Sequence, residues 1–253
     1  KILHTESSCV RCGRCMEVCP YGVGMNLNDP AERKKCRSCG RCVAACPTGS
    51  RKSAIQIKST QEILDEVEKY RLFYRRSGGG ITFSGGEATG QFHFLNELSE
   101  ALYDRGYDLC MESNGNFSYE KLKPVLDRLS MCFIDIKHMD PVAHKRFTGM
   151  SNENTLATVQ HIGKSRLPLV VRIPVIESVN ATDDEVRAIA RFVKENVREP
   201  RMELLPYHRY GEVKYDALAM HQPSEHFKTP SASRMERLNA IVAEEGVRVE
   251  RFA

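Results

Sequence analysis

Cys9-x2-Cys12-x2-Cys15-x3-Cys19-Pro20 and Cys36-x2-Cys39-x2-Cys42-x3-Cys46-Pro47 are one pattern written twice in the first 47 positions of the chain. Eight of the ten cysteines lie there. In this spacing three close thiolates hold one [4Fe-4S] cluster, and the fourth cysteine of each run crosses to ligate the other cluster. Cys9, Cys12, Cys15 and Cys46 are therefore expected to hold one cluster, and Cys36, Cys39, Cys42 and Cys19 the second. The prolines after the fourth cysteines end each turn and direct the thiolate across. Disulfides fit a reducing cytoplasm poorly, and structural zinc does not require the crossed Cys-Pro element. Cys110 and Cys132 stand in apolar runs, where free cysteine is usually a buried hydrophobe, and both are read as core.

The two runs define a module over residues 1–57, with the polar spacer Asn26 to Lys35 between its halves. A core of that size needs staples, so loss of metal is expected to unfold it. Residues 58–253 are long enough for one sizeable α/β domain. The net charge of +4 is small and the signs are mixed, which makes no case for a nucleic-acid partner. No apolar run approaches the roughly 20 residues that cross a bilayer. The expectation is a cytoplasmic protein with neither a nucleic-acid nor a membrane partner.

Beyond the module, Ser59-x-x-Glu62 reads as a capping box. It opens a helix over 60–76 with Ile63, Leu64, Val67, Leu72 and Phe73 at helical spacing. Strands and helices then alternate: helix after Phe92, strand 108–113, helix 118–129, strand 131–137, helical segments to 165, strand 169–176, helix 182–196, strand 201–207, helix 231–245 and strand 247–252. Such alternation predicts a parallel sheet with crossover helices, closing as a barrel or partial barrel. Ligands of such folds sit at the carboxyl ends of the strands.

Polar residues collect at those predicted ends. Ser77-Gly78-Gly79-Gly80-Ile81-Thr82-Phe83-Ser84-Gly85-Gly86-Glu87-Ala88 reads as a short strand ending in a bare-backbone cradle, with more glycine than packing alone requires. The next strand ends at Glu112 and Asn114, the one after at Asp135-Ile136-Lys137. Arg172 interrupts the apolar strand Val170-Val171-Arg172-Ile173-Pro174-Val175, and His208 follows Leu204-Leu205-Pro206-Tyr207. Each has a structural alternative, an ion pair or a loop residue. Four successive strands placing charge at one end argue for a site.

These motifs resemble the activating enzymes of glycyl radical enzymes, the pyruvate formate-lyase activase type within the radical S-adenosylmethionine superfamily. The resemblance covers about 59 to 252, and the double cysteine module resembles the branch that carries a two-cluster ferredoxin insertion. It implies a partial (β/α) barrel that binds S-adenosylmethionine at its open end. Gly85, Gly86 and Glu87 would meet the methionine amino group; Asp135, Ile136 and Lys137, with Arg172, the carboxylate or ribose; Glu112 would belong to the same site; His208 would lie beside the adenosine. The implied chemistry is one-electron cleavage to a 5′-deoxyadenosyl radical that takes hydrogen from a backbone glycine of a partner enzyme. Flavodoxin or ferredoxin is the implied electron donor.

The superfamily's Cys-x3-Cys-x2-Cys run, which holds a third, radical-generating [4Fe-4S] cluster, does not occur. Cys15-x3-Cys19 and Cys42-x3-Cys46 begin the spacing, but positions 22 and 49 are glycines. The resemblance thus implies an amino-terminal truncation that removes this run and the first barrel strand, with which the opening Lys1 agrees, and a polypeptide inactive alone. A two-cluster electron-transfer protein and a radical S-adenosylmethionine enzyme acting on a small molecule are the competing readings. The first leaves the cradle unexplained, and the order of motifs argues against the second.

Overall fold

The computed structural model describes residues 1–222, 224 and 226–252. The chain forms two compact units, Lys1–Lys58 with His208–His226, and Ser59–Tyr207 with Phe227–Ala253. The segment His208–His226, which the expected division gives to the larger domain, groups with the cysteine-rich residues. Arg33 donates to the carbonyl of Ala217 at 2.9 Å, in the helix Glu212–Ala217 that the sequence reading did not anticipate.

In the first unit β1 (Ile2–His4) pairs antiparallel with β2 (Arg51–Ser53). Between them the sequence repeat becomes a backbone repeat. Arg11 and Ser38 are left-handed, at φ 54° and 57°, as are Gly13 and Gly40 at 79° and 82°, and Gly22 and Gly49 at 60° and 66°. Gly13 and Gly40 each begin a one-turn helix, Arg14–Glu17 and Arg41–Ala45, that carries the third cysteine of its run. The helix Pro30–Lys35, capped by Asp29 on the Ala31 N–H, forms part of the spacer. The apolar core is three buried side chains, Ile2, Val23 and Leu27, with Cys19, Cys36, Cys42 and Val43 packed against them. So small a core is marginal by itself.

The second unit is a six-stranded parallel sheet in sequence order: β3 (Ile81–Phe83), β4 (Leu109–Ser113), β5 (Met131–Asp135), β6 (Leu169–Val175), β7 (Arg201–Pro206) and β8 (Arg248–Val249). The sheet is not closed; β3 and β8 are its edges among the described residues. It is an open, partial barrel. Helices Phe92–Tyr103, Tyr119–Leu126, Glu153–Gly163, Asp183–Asn196 and Ala232–Glu244 return the chain between strands. Their apolar stripes join Met111, Ile134, Ile136, Ile173 and Met202 in one core.

The capping box at Ser59 forms reciprocally with Glu62, but the expected helix over 60–76 is two, Thr60–Glu68 and Arg71–Ser77. The break restarts the helical register, and Leu72 and Phe73, expected on the apolar stripe, stand 70 % and 69 % exposed. Cys132 is fully buried in the core, whereas Cys110 is only half-buried and points to the opposite face of the sheet. Among the described residues no helix is long and apolar enough to cross a membrane.

Candidate functional site

Two cavities open in the first unit. Cys9, Cys12, Cys15 and Cys46 line one, with Val10, Met25 and Pro47. Cys19, Cys36, Cys39 and Cys42, joined by Cys15, line the other, with Ile2, Tyr21 and Val23. The cavity walls gather the cysteines in the groups expected from spacing, except that Cys15 lines both. All ten cysteines are free thiols. Each thiolate of a four-iron cluster takes its own iron, so the ligands need not converge on a point; no three His, Cys, Asp or Glu among the described residues do so. Soft thiolates around a largely apolar hollow fit an iron-sulfur cluster. Burial raises the Cys42 thiol, while at Cys46 the opposing N–H groups of Arg51, Thr48 and Ser50 and the Thr48 hydroxyl outweigh burial and lower it.

In the second unit the sheet has two unlike faces. Residues in register and two apart share a face. Thr82, Cys110, Glu112, Phe133, Asp135, Arg172 and Glu203 therefore share the face away from the core. A charged row runs across it. Ser84 donates to Glu112 Oε2 at 2.8 Å, Arg172 Nη1 reaches Glu112 Oε1 at 2.5 Å, and Arg172 Nε reaches Glu203 Oε2 at 2.7 Å. Glu203, 3 % exposed, also accepts the Phe252 N–H at 2.7 Å. The Arg172 guanidinium lies 3.9 Å over the Phe133 ring, which meets Phe252 edge-on at 5.3 Å. Burial by itself would raise the Glu112 carboxyl; Arg172 and Ser84 outweigh it and hold it below the ordinary glutamate range.

The strand ends are stitched together by side chains. Glu87 accepts from Ser113 Oγ (2.8 Å), the Asn114 N–H (2.9 Å), and the N–H and hydroxyl of Thr89 (3.2 and 2.8 Å), which ties the loop after β3 to the end of β4. Lys137 and Asp135 pair at 2.9 Å, both part-exposed, and Ile136 between them is fully buried on the core face. Buried Asn180 donates to the carbonyls of Lys137 (2.8 Å) and Pro174 (3.0 Å) and accepts the Ile176 N–H (2.8 Å). Asn180 and Glu203 escaped the sequence reading. Asn180 sits in a polar loop with no motif; Glu203 carried one signal, a charge alternating with Met202 and Leu204 in an apolar strand.

Gly85 and Gly86 have open space where a side chain would be, and Gly85 holds φ +109°. That uncrowded backbone, next to Ser84 with its bond to half-exposed Glu112, and at the same end of the sheet as Asp135 and Lys137, fits a small zwitterionic ligand carrying a sugar. His208 belongs to the first unit, stacked on Tyr210 at 4.4 Å. For a third cluster the residues do not fit: Cys110 and Cys132 are the only thiols outside the two runs, and they point to opposite faces of the sheet.

The parallel sheet with glycines and charged side chains at its carboxyl ends, joined in sequence to a double cluster module, defines a class, and comparison with known proteins agrees. The Radical SAM superfamily model matches residues 34–193 and a 4Fe-4S dicluster domain matches residues 1–47, so the chain belongs to the radical SAM superfamily, with S-adenosylmethionine and the iron-sulfur clusters of its dicluster domain as the implied cofactors. Its curated relatives are activating enzymes. The chain is 30 % identical over 262 residues to the indoleacetate decarboxylase activating enzyme of Tractidigestivibacter scatoligenes, covering 98 % of this chain and 82 % of that one. It is 36 % identical over 242 residues to the isethionate sulfite-lyase activating enzyme of Oleidesulfovibrio alaskensis, covering 93 % and 77 %. A solved domain of the pyruvate-formate lyase-activating enzyme from Bacteroides vulgatus superposes with a TM-score of 0.58 at 26 % identity, covering 68 % of this chain and 98 % of that domain.

Proposed function

We propose that the chain is the part of a glycyl radical enzyme activating enzyme that binds S-adenosylmethionine and two ferredoxin-type clusters, and that without a Cys-x3-Cys-x2-Cys run it does not carry out the radical cleavage alone. The observation that carries this reading is the open Gly85-Gly86 backbone at the charged end of a radical SAM sheet, in a chain that also holds the crossed cysteine module. Bound S-adenosylmethionine would supply one-electron chemistry only beside a reduced, open-site [4Fe-4S] cluster, whose three thiolates are not among this chain's residues.

The chain's own residues position and shield. Gly85 and Gly86 take the ligand's amino group with bare backbone, and Glu87, held by Ser113, Asn114 and Thr89, fixes that backbone against β4. Asp135 and Lys137 offer opposite charges to the ribose and carboxylate, spaced to one face by Ile136, whose side chain anchors in the core. Arg172 orients Glu112 at the same end. Cys9, Cys12, Cys15 and Cys46 hold one ferredoxin-type cluster and Cys19, Cys36, Cys39 and Cys42 the other. Eleven Lys and Arg against four Asp and Glu in residues 1–58 favour an acidic donor of the flavodoxin or ferredoxin kind.

Gly86→Val tests the reading, because its Cβ would project into open space and leave the fold alone. Equilibrium dialysis with labelled S-adenosylmethionine should show binding weakened about tenfold or more, roughly 1.4 kcal/mol, at unchanged thermal stability. Unchanged binding would remove the cradle from the site.

A further inference from the structure

Arg51 belongs to neither cysteine run, yet it lines both cysteine cavities. It stands in β2, is 4 % exposed, and donates to the carbonyls of Gly24 at 3.1 Å and Met25 at 2.7 Å. The same nitrogen lies 3.9 Å from the sulfur of Cys15, the one cysteine that also lines both cavities. Its reach extends to both ligand sets: the Arg51 backbone N–H bonds to Cys46, and its charge acts on the Cys42 thiol.

A guanidinium withdrawn from water is costly unless an anion compensates it. The carbonyls that hold Arg51 are neutral, and no carboxylate forms an ion pair with it among the described residues. Arg14 and Arg37 differ: each lines one cavity only and is exposed, where water screens its charge. A four-iron cluster with four thiolates is net anionic and becomes more so on reduction.

We propose that Arg51 is the shared counter-cation of the two ferredoxin-type clusters, raising the reduction potential of both by stabilising their reduced forms. This rests on the reading that the two cysteine sets hold [4Fe-4S] clusters. A cation fixed between two anionic groups in a poorly polarisable interior acts on each of them, and the charge rather than the hydrogen bonds carries the effect.

The test is an EPR-monitored potentiometric titration of the anaerobically reconstituted full chain, with dithionite as reductant and iron counted in each sample. Arg51→Gln keeps a donor for the carbonyls and removes the charge. About eight irons should remain, and both potentials should move to more negative values by about a tenfold change in the reduction equilibrium, ~59 mV for one electron. Arg51→Lys should restore most of that shift. Intact clusters with unmoved potentials, or a shift of one cluster alone, would overturn the shared role. Wild-type protein that assembles no clusters would instead overturn the ligand reading. If Arg51→Gln does not load iron, Arg51→Met, of similar length and uncharged, carries the test: both its potentials should fall together, and intact clusters with unmoved potentials would overturn the proposal.

Discussion

Glu112 shows how a residue picked out as a ligand contact is also a structural partner. Its carboxyl sits below the ordinary glutamate range because Arg172 and Ser84 outweigh burial. A depressed folded pKa contributes stability above the unfolded value and loses it as pH falls through the folded one. Thermal unfolding of wild type and Glu112→Gln should therefore differ near pH 7, and the gap should close as pH falls through the acid range below about 4.3. A gap that stays constant with pH would assign the effect to packing. Glycine gives the same lesson in reverse. Gly78 ends a helix at φ +67°, and a Cβ on Gly80 would fall 2.2 Å from the Asp108 carbonyl oxygen. Much of the glycine run is therefore chain geometry. Gly85 and Gly86 face open space, and identical letters in the sequence could not separate the two reasons.

The strands owe their common end to short cross-links. Their apolar alternation and β-branched content made β4 to β7 legible to within a residue or two, as the Ser59 and Glu62 pair made the start of its helix legible. The links themselves were not legible. Asn180 holds the ends of β5 and β6 through two carbonyls and an N–H while fully enclosed. Asn180→Ala leaves those groups without partners and should cost about 1–3 kcal/mol in denaturant unfolding. It should also weaken S-adenosylmethionine binding, since the Lys137 carbonyl is one of its acceptors. A loss below a few tenths of a kcal/mol would mean that water replaces the amide.

At the scale of the molecule, the two units are stabilised by different means. The sheet unit buries a continuous apolar core; the cysteine unit buries Ile2, Val23 and Leu27. Iron removal by a chelator under anaerobic conditions should abolish amide-exchange protection in β1 and β2 while β4 to β7 keep theirs. Protection surviving in β1 and β2 would show that metal is not the staple. By itself the sequence determined the doubled cysteine spacing, the order of the strands β4 to β7, and the family. Each of these is a pattern of residue type against chain spacing, and spacing is what covalent geometry transmits. Only tertiary structure decided that Arg51 stands between two cavities, that Glu203 completes the row through Arg172, and that His208–His226 groups with the cysteine-rich unit. Those facts join residues distant in the chain, where burial and charge compensation, rather than local spacing, choose the neighbour.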